Sequence, residues 1–273
     1  MTLNISSVEH QSGDNLTAGN LNAPHDQIVS YINNLQTVEY VTSNLTKTVG
    51  SGGDFATLQA AVDYFGTLIP NATSVVGTIM LKSGFVLEEG VVMRSKNLGW
   101  VEIKSEDNEV LVDPTKAYNP ASPADNRTFS ILGSLSVMPN IYVNLKAQSH
   151  NIRAYKVIGA FNNSSLHIGG PNAALGYPTG GSIRNQTTAD FTQSIEIASS
   201  YCYALQGVFD AVLLNINSTM MFRDGKAKRL YLRSFSYVEV SGATDLSGGP
   251  ITNVLNVPLN TFSPYGIAFD PNA

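Results

Sequence analysis

The fold of this chain is decided by residues 48–65, which read TVGSGGDFATLQAAVDYF. These letters describe a strand end, a glycine-rich turn and then a helix. Thr57 is placed to cap that helix through its hydroxyl. The helix carries an apolar stripe at i, i+3, i+4 and i+7, formed by Leu58, Ala61, Val62 and Phe65. The glycines have neither the Gly-x-Gly-x-x-Gly spacing nor a Gly-Lys-Ser/Thr ending, which argues against a nucleotide-binding loop.

The sequence after residue 65 consists of short β-rich runs separated by turn residues. Examples are 78–82, 101–104, 194–197, 208–216 and 237–240. No long helical pattern separates these runs, which excludes a doubly wound α/β sheet. Residues 114–126 and 169–181 read as loops. Strand direction cannot be read from the sequence, so an antiparallel sandwich stays open as an alternative fold.

Residues 48–65 resemble the opening of the pectate-lyase-like β-helix proteins, a family that includes pectin-active enzymes and many bacteriophage tailspikes and tail fibres. The resemblance is specific over this stretch. Over the rest of the chain it extends only to the pattern of short β-rich runs. It implies an all-β fold, a right-handed parallel β-helix with a capping helix at its open end. Such a stack exposes apolar side chains and unpaired backbone groups at its first strands, and an amphipathic helix laid across them covers both.

Two regions are predicted, an N-terminal arm and helix over 1–46 and a β-helix body over 47–273. Residues 21–35 read LNAPHDQIVSYINNL, a short N-terminal helical segment with one apolar face. Because such a helix is marginal alone, it packs either on its own body or in a bundle of three copies. Residues 21–35 also resemble the heads of phage tail fibres, which implies attachment to other tail or baseplate proteins. The aromatic stretch 261–269 predicts a C-terminal packing segment.

Charged residues are scarce in this chain. They make up 14% of it, against roughly 25% in an ordinary globular domain. The net charge of −5 and the pI near 5.3 argue against a nucleic-acid partner, which would require a basic stripe. The one basic cluster, Arg223, Lys226, Lys228 and Arg229, reads as a solvated turn. Cys202 is the single cysteine, and its apolar neighbours predict a buried, inert thiol.

The expected location of the protein is a virion. No stretch approaches the roughly 18 apolar residues of a membrane span. Residues 1–5 lack the basic start and the apolar run of a signal peptide. The chain is therefore expected to be made in the host cytoplasm, although its hydroxyl- and amide-rich composition suits an exterior surface. A component of a phage tail, which leaves the cell by lysis, reconciles the two.

An enzyme on this fold would need carboxylates. Glycoside hydrolysis uses two of them about 5 to 9.5 Å apart, and a pectate lyase uses acidic calcium ligands with a basic residue. The weak catalytic candidates are Glu102, Glu196 and Glu239, which successive turns of a β-helix would align in one row on an outer face. An ordinary solvent-facing role is the favoured interpretation of all three.

Other signs of catalysis are missing from the sequence. It has neither the Asp-Phe-Ile-Phe-Gly nor the Asp-x-x-x-Arg pattern of the pectin-active enzymes. The four histidines, His10, His25, His150 and His167, have no metal-ligand spacing. We therefore expect no metal and no cofactor. The sequence favours a non-enzymatic role over an enzymatic one.

Sugar recognition needs no acid pair, because aromatic faces stack on sugar rings while amides and hydroxyls bind sugar hydroxyl groups. The chain offers Asn-rich turns and the tyrosines Tyr118, Tyr177, Tyr201, Tyr203, Tyr231 and Tyr237. We therefore predict a homotrimeric phage tail-fibre or tailspike protein that binds a bacterial surface glycan. The alternatives are a polysaccharide depolymerase on the same β-helix, either a glycoside hydrolase or a lyase, and a purely structural tail adaptor. A free pectin-active enzyme is disfavoured.

Overall fold

The chain divides into two compact units, Met1–Glu39 and Tyr40–Ala273. The computed structural model describes residues 39–117, 126–133, 136–152, 155–169, 182–187, 193–227, 229–241, 254–255 and 266–269. The predicted N-terminal helix at 21–35 lies outside these residues. The described part of the second unit consists of short β-strands and one α-helix, α1 (Leu58–Phe65). Within the same ranges, no helix is long and apolar enough to cross a membrane.

Two short strands, β1 (Glu39–Val41) and β3 (Leu68–Pro70), form a small sheet of their own. The largest sheet, sheet 1, has nine strands. In their order across the sheet these are β2 (Leu45–Val49), β4 (Gly77–Leu81), β7 (Val101–Ser105), β10 (Asn140–Ile141), β13 (Ser165–Ile168), β16 (Tyr201–Leu205), β19 (Thr219–Arg223), β22 (Ser236–Ser241) and β24 (Gly266–Phe269).

Two further sheets have six and seven strands. Sheet 2 has the order β20 (Lys226–Ala227), β17 (Val208–Phe209), β14 (Ser182–Thr187), β11 (Asn144–His150), β8 (Glu109–Val112) and β5 (Val86–Leu87). Sheet 3 has the order β23 (Val254–Leu255), β21 (Arg229–Leu232), β18 (Val212–Asn215), β15 (Gln193–Ala198), β12 (Lys156–Phe161), β9 (Arg127–Leu132) and β6 (Val91–Arg94).

Every strand pairing inside these three sheets is parallel, which excludes the antiparallel sandwich. The fold is therefore all-β with parallel sheets. From β4 to β21 the chain visits sheet 1, sheet 2 and sheet 3 in turn, and we call one such pass a circuit. The predicted run 208–216 is in fact two strands, β17 and β18, because the chain turns at Asp210 and Ala211 to pass from sheet 2 to sheet 3.

The core is filled by the inward side chains of the three sheets. In sheet 1 these residues lie in register along the stack, Ile79 beside Ile103 and Cys202 beside Met220, and all four are buried. Their neighbours along each strand point outward, because side chains alternate between the two faces of a sheet. The predicted burial of Cys202 is confirmed, and burial raises the pKa of its thiol, which keeps it protonated.

Helix α1 lies where the sequence predicts it. Its apolar stripe, formed by Leu58, Ala61, Val62 and Phe65, is buried. Thr57 caps the helix as expected, since its Oγ1 accepts a hydrogen bond of 3.2 Å from the Ala60 N–H. The local sequence pattern therefore determines both the position of this helix and the face that it buries.

The helix covers one edge of the body. It packs against β2 and β6, the end strands of sheets 1 and 3. The Gln59 side chain takes the place of a neighbouring strand for β6, because its Oε1 accepts from the Val92 N–H at 2.7 Å and its Nε2 donates to the Val92 carbonyl at 3.2 Å. The Glu89 carboxylate in turn accepts from the Leu58 N–H at 2.6 Å. Polar groups that the edge of sheet 3 and the start of the helix would otherwise leave unpaired are satisfied in this way.

The corner that leads from sheet 3 into sheet 1 is built alike in successive circuits. A buried serine stands there each time, namely Ser136, Ser164, Ser200, Ser218 and Ser236. Main-chain bonds connect the corners along the stack, since the Thr219 N–H donates to the Ser200 carbonyl and the Tyr237 N–H donates to the Ser218 carbonyl. Ser200, Ser218 and Ser236 are 18 residues apart, so one circuit here takes 18 residues. We call this feature the serine corner.

Candidate functional site

The outer face of sheet 1 presents two columns of side chains that include several aromatic rings. The first column along the stack is Ser165, Tyr201, Thr219 and Tyr237. The second column is His167, Tyr203, Met221, Glu239 and Phe269. These side chains point outward, because the alternate residues of the same strands are buried in the core. We call the two columns the tyrosine face.

His167 lies roughly edge-on to two tyrosine rings of this face. Its ring centroid is 6.5 Å from that of Tyr201 and 6.4 Å from that of Tyr203. Burial lowers the pKa of His167 below its ordinary value of 6.5, so the imidazole is neutral near pH 7. Burial also raises the pKa of Tyr201 and of Tyr237, so both phenols keep their protons. The tyrosine face therefore presents mostly uncharged rings that carry hydrogen-bonding groups.

An open groove of about 550 Å³ lies beside Tyr201, at the serine corner. Its lining includes Tyr201 and Thr219 from the strands and Asn163, Ser199 and Asn217 from the corner. Asn163 and Asn217 have φ angles of 62° and 52°, a left-handed conformation that Asn adopts more readily than most residues. The lining side chains within the described ranges are all hydroxyls, amides or the phenol, so this lining is polar and uncharged. We call it the tyrosine groove.

Two of the predicted glutamates, Glu102 and Glu239, lie on the outer face of sheet 1. Glu102 is in β7 and Glu239 is in β22, with four strands between them. At about 4.8 Å per strand, the two residues are about 24 Å apart. A glycosidase acid pair reaches at most about 9.5 Å. Glu102 instead forms an ion pair with Lys104, whose ammonium lies 5.7 Å from the centre of the Tyr142 ring.

The third glutamate, Glu196, lies in β15, which belongs to sheet 3. The prediction that all three glutamates share one row is therefore wrong for Glu196. Its carboxylate is buried, forms an ion pair with Lys156, and lies 3.6 Å from the Arg127 guanidinium. That guanidinium stacks 4.0 Å from the centre of the Phe161 ring. Two cations and an aromatic ring around one carboxylate form the environment of a structural ion pair.

The described histidines do not form a metal site. No group of three or more His, Cys, Asp or Glu side chains in the described ranges is arranged to hold a metal ion. His150 uses both ring nitrogens in other contacts, because Nε2 lies 2.7 Å from the Asn185 Oδ1 and Nδ1 accepts from the Ile152 N–H at 3.2 Å. Nε2 therefore carries the proton and donates to Asn185.

The predicted tyrosines separate into three groups. Tyr201, Tyr203 and Tyr237 lie on the tyrosine face, Tyr231 lies in β21 of sheet 3, and Tyr118 and Tyr177 lie outside the described residues. The structure thus brings three of the six onto one face of one sheet, two in β16 and one in β22, with β19 between these strands.

Sequence reasoning missed the rest of this site. It assigned no role to Asn163 or Asn217, and it noted His167 only as a histidine without metal-ligand spacing. A usable signal was the 18-residue spacing of Ser200, Ser218 and Ser236. That period aligns the residues that follow each serine, and so brings the first column of the tyrosine face into register.

Comparison with known proteins gives no family for this chain. No protein-family model matches it, and no curated protein matches it significantly. The fold and the site therefore define only a class, an all-β protein with parallel sheets that presents an aromatic face beside a polar, uncharged groove.

Proposed function

We propose that the chain is a phage tail-fibre or tailspike protein that binds a host-surface glycan without cleaving it. The observation that carries this proposal is the tyrosine face with its adjoining groove. An aromatic ring gives a sugar an apolar surface on which to stack, while amides and hydroxyls bind its hydroxyl groups. Tyr201 supplies the ring, and Asn163, Asn217 and Thr219 supply the polar groups.

The body is proposed to be a right-handed parallel β-helix. This proposal is supported by the repeated visits to sheets 1, 2 and 3, by the parallel pairings, and by the position of α1 against the end strands. Crossover connections between parallel strands of one sheet are right-handed in about 98% of cases. A rigid stack of this kind holds the tyrosine and asparagine side chains in place before the ligand arrives, which lowers the ordering cost of binding.

The positions of the carboxylates support binding without cleavage. Glu102 and Glu239 are about 24 Å apart along sheet 1. Glu196 is held in sheet 3 by Lys156 and Arg127. None of these three can pair with another of them across a single glycosidic bond.

Adsorption of the purified protein to bacterial cells and to their isolated surface polysaccharide tests the proposed function. The double variant Tyr201→Ala, Tyr203→Ala should lose adsorption, because it removes the stacking rings. The matched control is Tyr231→Ala, the same substitution in sheet 3, which should adsorb like the parent protein. Circular dichroism establishes that each variant is folded. Equal adsorption by the double variant and the parent would show that the tyrosine face is not the binding site.

Release of new reducing ends or unsaturated ends from the same polysaccharide tests for cleavage. We expect no sustained release. Release that disappears in Glu102→Gln, Glu196→Gln or Glu239→Gln would instead establish a depolymerase, and the non-enzymatic proposal would then be abandoned.

A structural tail adaptor is the second candidate, and exposed apolar side chains favour it. Ile216 is 51% exposed and Phe235 is 66% exposed, at adjacent serine corners. Apolar groups displayed in this way suit contact with another protein. The proposed setting is a homotrimer in a virion tail, joined to other tail or baseplate proteins through residues 1–46. Failure to adsorb to any cell, together with capture of a tail protein of the same phage, would favour the adaptor.

A further inference from the structure

A second groove, of about 710 Å³, lies near the start of sheet 1. It is formed by β3 with the residues that follow it and by the turn that precedes β7. Its lining includes Trp100, the only tryptophan of the chain, together with Asn71, Thr73 and Asn97. The three polar residues are exposed, and Trp100 is half-buried. We call this the tryptophan groove.

The indole of Trp100 is held in position by packing. Its ring lies 5.7 Å from that of Phe65, centroid to centroid. Its Cζ3 also lies only 2.8 Å from the place that a Cβ on Gly77 would occupy, so the glycine makes room for the ring. The indole Nε1 is buried and has no hydrogen-bond partner among the described residues, so the ring offers a ligand an apolar surface and not its N–H.

The two grooves are in line along the stack. Asn97 pairs with Val137, Val137 pairs with Ser165, and Ser165 pairs with Tyr201. Three strand spacings therefore separate Asn97 in the tryptophan groove from Tyr201 in the tyrosine groove, which is about 14 Å. Among the described residues, no side chain that lines either groove carries a charge.

We propose that the tryptophan groove is a second sugar subsite and that the ligand is a linear, neutral polysaccharide lying parallel to the stack. This inference rests on the proposed glycan binding at the tyrosine groove. A sugar ring offers an apolar face to the indole and hydroxyl groups to the exposed Asn71, Thr73 and Asn97. A polysaccharide that spans about 14 Å engages both grooves at once, and linked subsites bind more tightly than either subsite alone.

Intrinsic fluorescence tests this subsite directly, because its emission comes from a single tryptophan. The probes are a disaccharide and a decasaccharide prepared from the surface polysaccharide of a bacterium to which the protein adsorbs. We expect the decasaccharide to shift the tryptophan emission and to bind roughly tenfold or more tightly than the disaccharide. Trp100→Phe, which keeps a ring against Phe65, and Asn71→Ala should remove most of that gain in a calorimetric titration. Asn108→Ala, a matched change of an exposed asparagine outside both grooves, should retain it.

The outcomes separate this inference from the proposed function. If the decasaccharide binds but leaves the emission unchanged, and Trp100→Phe and Asn71→Ala bind it as the parent does, the subsite is overturned and the proposed function stands. If no cell adsorbs the protein, the proposed function fails and the subsite fails with it. Binding restricted to charged polysaccharides would overturn the neutral class of ligand.

Discussion

Asp54 and Thr48 bind each other across the glycine turn that precedes α1. The Thr48 N–H and the Thr48 Oγ1 each donate to the Asp54 Oδ2 at 2.8 Å, and the Asp54 N–H donates back to the Thr48 Oγ1 at 2.9 Å. The backbone and side-chain bonds from Thr48, helped by Lys47 at 3.1 Å, lower the pKa of Asp54 to about 2. An ionised carboxylate therefore closes the turn from which the helix starts.

Replacement of Asp54 by Asn should make the protein less stable in a pH-dependent way. The pKa of this carboxyl is about 2 in the folded chain and 3.8 ordinarily, so its stabilising contribution is present above pH 3.8 and is lost as the pH falls through about 2. We expect Asp54→Asn to melt at a lower temperature than the parent at pH 6, and this gap to close towards pH 2. Thermal unfolding followed by circular dichroism measures it. A gap of constant size across this range would contradict the prediction.

Truncation of the buried stripe of α1 should destabilise the body. Phe65→Ala should lower the free energy of unfolding by about 3–5 kcal/mol and Leu58→Ala by about 2–5 kcal/mol, because both side chains are buried against the core. Tyr40→Ala is the control, since this aromatic side chain is 65% exposed and should change the free energy by only about 0.5 kcal/mol. Urea denaturation gives all three values. Equal losses for Phe65→Ala and Tyr40→Ala would mean that α1 does not cover the core.

Local pattern made α1 predictable. The spacing of Leu58, Ala61, Val62 and Phe65 encodes a helix with one apolar face, and Thr57 marks its start. Each of these signals lies within nine consecutive residues, so no information about distant strands was needed. The same argument explains why the burial of Cys202 was readable from its apolar neighbours.

Assignment of strands to sheets could not be read in this way. Glu196 occupies an outward position of its strand, as Glu102 and Glu239 do. Its strand belongs to sheet 3, however, because the chain visits the three sheets in turn and the number of preceding strands decides the sheet. The apolar run 208–216 hides the turn at Asp210 that divides it between two sheets. Parallel pairing joins residues that are far apart in sequence. The alternation of buried and exposed residues along one strand does not show which other strands it pairs with.

The two described histidines should make the fold sensitive to mild acid. Burial lowers the pKa of both His150 and His167 below the ordinary value of 6.5. As the pH falls, the two imidazoles are protonated more readily in the unfolded chain than in the folded one. The folded state therefore loses stability as the pH falls below about 6.5. Protonation of His150 would also break the bond that its Nδ1 accepts from the Ile152 N–H.

The double variant His150→Gln, His167→Gln tests this prediction. The free energy of unfolding of the parent should decline between pH 7.5 and 5.5, and the decline should flatten in the variant. Urea denaturation at steps across this interval measures both slopes, and the two single variants apportion the effect. A variant with the slope of the parent would show that other groups cause the decline.

The proposed homotrimer predicts a mass in solution of about three times 29.2 kDa. Light scattering of the purified full chain at micromolar concentration measures it. Replacement of the exposed Phe235 by Ser then tests whether this corner takes part in assembly, and loss of the trimer without loss of β-sheet signal would place it at the interface. A mass near that of one chain would contradict the trimer.

The even spacing of Ser200, Ser218 and Ser236 makes residues 200–236 a repeating part of the body. Removal of residues 201–218 would join Ser200 directly to Thr219, which already stands in register with Tyr201 in the neighbouring strand. Each later residue would keep its sheet and its orientation, and the stack would shorten by one strand spacing of about 4.8 Å. Within residues 200–236 the stack can thus be lengthened or shortened in whole steps of 18 residues, and each step changes its length by one strand spacing.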